Sequence, residues 1–196
     1  MENSMIIALT GVPGTGKTTI AAILAKKLQA KLISLNYLVE KFNLGSKCEA
    51  LIADIESIRK YIETEKTRQK EGIILIEGHI SHLLPADLIV VLRCNPRELY
   101  KRLHRRYSQN PEKIMENLEA EIIGVIPSES YRTGVRTVEI DTTNKDPARI
   151  AELIARIITQ GARVTNRIDW LTEENIMFLN QLRASLKGYK YVEGYT

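Results

Sequence analysis

Cysteine and aromatic residues are scarce in this chain. It has two Cys, one Trp and two Phe among 196 residues. Cys48 and Cys94 stand far apart in no metal-ligand spacing. This argues against a disulfide scaffold or a zinc cage and predicts reduced thiols in a cytoplasmic protein. No apolar run is long enough for a bilayer-spanning helix, so no membrane partner is expected. Residues 1–4 carry no charged n-region and lead almost at once into a strand pattern, which is not how a signal peptide reads. Internal repeats and low-complexity tracts are absent. Neither charge sign dominates: 28 Lys+Arg against 24 Asp+Glu leave +4, with a pI near 9.0. So mild an excess suits a phosphorylated substrate and permits an RNA-rich partner without demanding either. The chain is 44% hydrophobic, which is enough for one well-buried core.

The chain is organised around Gly11-Val12-Pro13-Gly14-Thr15-Gly16-Lys17-Thr18-Thr19. Gly, four residues and Gly-Lys-Thr is a phosphate-binding pattern. Residues 5–10 form a short apolar strand run and residues 17–28 a helix. Strand, glycine loop and helix N-terminus together trap an anion, because the glycines turn backbone N–H groups inward and the helix dipole adds positive potential. Lys17 is placed to reach the β- and γ-phosphates of a nucleoside triphosphate, and Thr18 to put its hydroxyl on Mg²⁺.

Along the chain, Ile20, Ile23, Leu24 and Leu28 repeat at helical spacing, and residues 31–35 read as a second strand. A brief helix spans 37–42, broken by Gly45 and Ser46. A longer one over 49–70 has Leu51, Ile52, Ile55, Ile58 and Ile62 on its apolar face. Runs 73–76 and 88–92 lack alternation, as strands covered on both faces do. Their connection is too short for a helical crossover, so they need not be neighbours. Asn95-Pro96 and Asn110-Pro111 each start a helix. The second is expected to run to about residue 130 and to kink or end at Pro127. A last strand covers 137–140, and Asp146-Pro147 opens a helix closed by Gly161. In the tail, residues 172–186 predict an amphipathic helix with Ile176, Leu179, Leu182 and Leu186 on one face, stopped by Gly188. Trp170 reads as a packing anchor. Five strands alternating with helices describe a doubly wound α/β sheet with ligands at the strands' carboxyl ends. That rim collects the phosphate loop, residues 77–79, and Arg93 onward.

Phosphoryl transfer needs positioning and positive charge more than covalent help. Glu77, ending an interior strand, is the candidate second Mg²⁺ ligand. His79 could orient water or an acceptor, whereas His82 fits an ordinary loop histidine as well. Arg102, Arg105 and Arg106 stand before Ser108-Gln109-Asn110, where a mobile lid could close over phosphates.

Residues 11–19, the strand 73–77 with Gly78-His79, the run 89–93, and 103–107 followed by 111–123 together resemble one family. It is the adenylate kinase isoenzyme 6 family, also known as the coilin-interacting nuclear ATPase protein, in its archaeal form. The resemblance covers about residues 4–160. It implies a P-loop NTPase fold of nucleoside monophosphate kinase type, with a five-stranded parallel sheet. Residues 1–161 would form the core, 34–56 a monophosphate-binding insert, 104–114 a short lid and 162–196 a C-terminal helical extension. It implies the reaction ATP + AMP to two ADP, with Mg²⁺ and side ATPase activity. Gly14, Gly16, Lys17, Thr18 and Thr19 would hold ATP phosphates, Arg105 would contact ATP from the lid, and Lys145 would lie by the adenine. Lys17, His79 and Arg105 would carry catalysis, and Thr18 and Glu77 the metal. The resemblance also implies a role in small ribosomal subunit maturation, with a platform ribosomal protein and rRNA as partners.

This chain departs from the pattern at Glu40, which stands about where adenylate kinases carry an AMP-clamping arginine, and at Glu77, where the family has Asp. An acid beside a dianionic phosphate is unfavourable. A kinase and an ATP-driven assembly factor therefore both remain open, as does a kinase for another small phosphate acceptor.

Overall fold

The computed structural model describes residues 4–41, 48–69, 71–162 and 167–192. Five strands, β1 (Met5–Thr10), β2 (Lys31–Ser34), β3 (Ile73–Glu77), β4 (Leu88–Arg93) and β5 (Thr137–Asp141), form one parallel sheet in the order β2-β3-β1-β4-β5. The helices are α1 (Lys17–Leu28), α2 (Leu35–Lys41), α3 (Cys48–Arg68), α4 (Pro96–Tyr107), α5 (Pro111–Ile122), α6 (Val125–Arg132), α7 (Pro147–Gln160) and α8 (Glu173–Val192). β3 and β4 both pair with β1 and not with each other, as their short connection requires.

The central strands β1, β3 and β4 are apolar along most of their length because helices cover both faces, while the edge strands β2 and β5 carry Lys31, Glu139 and Asp141. Ile7 and Leu9 of β1 and Val90 and Leu92 of β4 pack with Ile20 and Leu24 of α1 and Ile150 and Ile154 of α7. On the other face, Ala8, Ile89 and Val91 meet Leu99, Leu103, Ile114 and Leu118 from α4 and α5. Ile6, Ile74 and Ile76 meet Leu38, Ile58 and Ile62 from α2 and α3. Asn95, Asn110 and Asp146 each accept a backbone N–H at a helix start ahead of a Pro; such caps are worth about 1 kcal/mol apiece.

Three expectations are corrected. The helix from Pro111 does not continue to residue 130. It ends at Ile122, and Gly124, at φ 68, takes the left-handed conformation that lets α6 start afresh. Pro127 lies in the first turn of α6, where its missing N–H costs nothing. In the tail, Gly188 does not stop α8, which runs on to Val192. A helix-interior glycine costs about 1 kcal/mol against Ala but does not by itself terminate a helix. The inward face of α8 is Asn175, Phe178, Leu179 and Leu182, while Ile176 is 41% exposed. Phe42, Gly45, Ser46 and the side chains of Leu51, Ile52 and Leu186 lie outside the described residues. Among the described residues, no helix is long and apolar enough to cross a membrane.

Candidate functional site

At the carboxyl end of β1 the chain turns through residues 11–16 into α1. Gly11, at φ 139, passes so close to β4 that a Cβ there would lie 2.5 Å from the Leu92 carbonyl oxygen. Gly14, at φ 91, packs where a Cβ would meet Leu99 of α4 at 2.9 Å. Only glycine fits both the backbone and the space. The loop is fastened from several sides. Thr15 Oγ1 donates to Val12 O at 2.9 Å, and Thr142 Oγ1, just after β5, bonds Thr15 O at 3.1 Å and Arg93 O at 2.9 Å.

Lys17 Nζ donates to Gly11 O at 2.8 Å and to Val12 O at 3.0 Å. Desolvation, opposed by Glu77 and reinforced by the Arg106 charge, brings its pKa down to about 8. Gly16 is the left-handed residue that opens α1, and Thr18 and Thr19 are exposed on its first turn. The α1 N-terminus carries no side-chain cap, so its N–H groups remain available to an anion.

Glu77 ends β3 with its side chain buried, yet its carboxylate reaches this loop. Oε2 accepts from Thr18 Oγ1 at 3.4 Å, and Oε1 from Ser34 Oγ, at the end of β2, at 2.6 Å. Among the described residues no group of three or more His, Cys, Asp and Glu side chains gathers to hold a metal. Thr18 and Glu77 offer oxygen donors only. That set fits Mg²⁺, which takes one or two protein oxygens and completes its shell from phosphate and water.

His79 sits on the exposed turn after β3. Its pKa lies below the ordinary histidine value, first through desolvation and then through the positive charges of Lys17, His82 and Lys113. Lys113, in the first turn of α5, therefore belongs to the cationic surround of the site. The sequence reading passed over it, although its place three residues after Asn110 was a usable signal.

The three candidate arginines of α4 separate. Arg102 donates to Gly14 O and Thr142 O, each at 3.4 Å, clasping the phosphate loop to the end of β5. Arg106, one turn on, is close enough for its charge to act on Lys17. Arg105 is exposed, with no hydrogen-bond or ion-pair partner among the described residues. Arg93 is not at the open rim. It is 1% exposed, paired with Glu121 at 2.9 Å and Glu139 at 2.5 Å. Lys145, exposed after β5, holds Asp141 O at 2.9 Å and Asp141 Oδ2 at 3.2 Å. It lines a cleft of about 850 Å³ with Asp141, Asn144, Arg149 and Leu153.

Known proteins share this architecture. A family model described as an AAA domain matches residues 7–124. A protein named "Putative adenylate kinase" from Methanocaldococcus jannaschii is 38% identical over 179 residues, covering 89% of this chain and 97% of its own length. One of the same name from Pyrococcus abyssi is 40% identical over 169 residues, covering 85% of this chain and 91% of its own. Among solved structures, shikimate kinase from Acinetobacter baumannii in complex with shikimate superposes with TM-score 0.57 at 19% identity, over 83% of this chain and 97% of that one. TT1252 from Thermus thermophilus gives 0.58 at 16% identity, over 83% and 100%. At such identities these two share the P-loop kinase fold and nothing finer.

Proposed function

The chain belongs to the family of these archaeal adenylate-kinase-like proteins, and from that membership we propose that it is a nucleoside monophosphate kinase of adenylate type. It would convert ATP and AMP to two ADP, with a side ATPase activity. The observation that carries the reading is the meeting of Lys17, Thr18 and Glu77 at one loop: Thr18 and Glu77 at 3.4 Å, Lys17 anchored at the loop's mouth. An ammonium group, a helix N-terminus and a hydroxyl–carboxylate pair are what phosphoryl transfer asks of a protein.

In this reading, Gly14, Gly16, Lys17, Thr18 and Thr19 cradle the triphosphate. Thr18 and Glu77 would hold Mg²⁺, which would supply positive charge to the phosphate oxygens. Residues 104–114 act as the lid, in which Arg106 and Lys113 bring charge to bear on Lys17 and His79 and Arg105 stands beside them in a lesser role. His79, kept neutral, orients the acceptor or a water. Lys145 flanks the base. Residues 34–56 form the acceptor-binding insert, and 162–196 an extension to the core of 1–161.

A second reading rests on Glu40. It is exposed on α2, about where a monophosphate-clamping arginine would stand. That favours an ATP-driven assembly factor working on a small-subunit ribosomal protein and its rRNA, its ATPase being the useful output. Measuring ADP formation with ATP alone and with ATP plus AMP separates the two. Stimulation by AMP supports the kinase. ADP formation indifferent to AMP, and raised by the small-subunit partner, supports the assembly factor.

A further inference from the structure

His82 was read from sequence as an ordinary loop histidine, but it is 2% exposed and both ring nitrogens are engaged. It lies in the short 3-10 turn Ser81–Leu83 that follows His79. Nδ1 is 3.1 Å from Thr10 Oγ1, and Nε2 is 2.9 Å from Glu129 Oε2 on α6. Thr10 is the last residue of β1, immediately before Gly11. Its hydroxyl also donates to the backbone carbonyl of His79 at 3.1 Å. The turn is fixed to the same strand end by Gly78 N–H and Ser81 Oγ–H, both donating to Leu9 O.

Thr10 has one hydroxyl proton, which meets either the His79 carbonyl or the His82 ring. On its far side the ring is held by Glu129 through Nε2. The buried ring therefore braces the Thr10 hydroxyl that touches the His79 carbonyl, in a hydrogen-bond chain that runs from Glu129 through His82 and Thr10 to His79.

We propose that His82 is a positioning residue for phosphoryl transfer: its ring, held by Glu129, keeps the Thr10 hydroxyl beside the His79 carbonyl and so sets the His79 imidazole against the phosphate loop. The proposal rests on the phosphoryl-transfer reading above, through His79.

Two measurements test it. His82→Gln and Glu129→Gln should each lower kcat by about tenfold through misplacement of His79, with KM for ATP unchanged. In ¹⁵N-histidine-labelled protein, the signals lost in His79→Gln identify the His79 ring, and these should shift in both variants. An unchanged kcat in both variants overturns the proposal, as do His79 signals that stay in place. So does a kcat loss with an equal rise in KM, which marks general loosening. If wild-type protein turns over no nucleotide, the phosphoryl-transfer reading falls, while the His79 signals still decide the hydrogen-bond chain.

Discussion

Lys17 folds back on its own loop, with its ammonium nitrogen 2.8 Å from the Gly11 carbonyl oxygen and 3.0 Å from that of Val12. The group that must meet a phosphate is thus held half-buried against backbone dipoles, at a desolvation cost expressed as a pKa near 8 against the ordinary 10.5. Below pH 8 both folded and unfolded chains carry the charge, and the full cost is present. Between 8 and 10.5 the folded state releases the proton while the unfolded state keeps it, so stability rises with pH. Relative to Lys17→Met, which has nothing to titrate, wild-type protein should gain about 3 kcal/mol across that window. Denaturant melts of both proteins at several pH values check this, and a gap that moves the other way contradicts it. The same variant should lose at least about 10²-fold in kcat.

Nucleotide binding should draw on the same strain. A polyphosphate beside Lys17 favours the charged ammonium, so its pKa must rise on binding. Near pH 8 to 9 the protein should therefore take up a proton with ATP, and affinity should fall as pH climbs past 8. Titration calorimetry in two buffers of different ionisation enthalpy reads the uptake directly. A binding enthalpy independent of buffer would contradict it.

The α4 arginines make a sharper contrast. Arg105 and Arg106 are both exposed on the last turn of α4, but of the two it is the Arg106 charge that acts on Lys17. Arg106→Ala should lower kcat/KM for ATP by as much as about 10²-fold. Arg105→Ala should cost less than about fivefold, as a charge with no partner at the loop does. The reverse order would put the lid contact on Arg105, as the family resemblance implies.

The sheet and the phosphate loop could be read from the sequence because their signals are local. Unbroken apolar runs, Asn-Pro and Asp-Pro starts, and a glycine pattern whose backbone no other residue adopts each speak within a few residues. The break at Gly124 was missed because Pro127 is the louder residue, yet a proline in a helix's first turn breaks nothing. On α8, Leu179 and Leu182 face inward as expected, but Ile176 was misplaced because the partners of that face, Tyr100 of α4 and the α5 surface, are distant in sequence. Phe178 meets Tyr100 edge to face at 5.9 Å, and Arg183 pairs with Glu119 at 2.6 Å. His82 and Arg93 eluded sequence reading for the same reason: their partners lie 28 to 75 residues away along the chain.

Arg93 provides the last test. It stands at the carboxyl end of β4, where a ligand-binding residue would be expected, but it is spent inside the protein. Its guanidinium bonds Glu121 and Glu139 and also donates to the carbonyls of Glu121 and Ile168. The Glu121 carboxyl is pushed up by burial and pulled back by Arg93 and the Cys94 N–H. Removing the arginine takes away the chief opposition to that burial, so Arg93→Met should destabilise by about 3–5 kcal/mol at neutral pH. A carboxyl whose folded pKa is raised costs stability only while ionised, above that pKa, and protonation relieves it. The deficit of Arg93→Met against wild type should therefore shrink as pH falls, because the orphaned Glu121 can take a proton while the wild-type ion pair must be broken to do so. Paired urea melts at neutral and mildly acidic pH measure the difference. A deficit constant with pH would mean that the loss comes from packing and the Ile168 contact, not from a stranded charge.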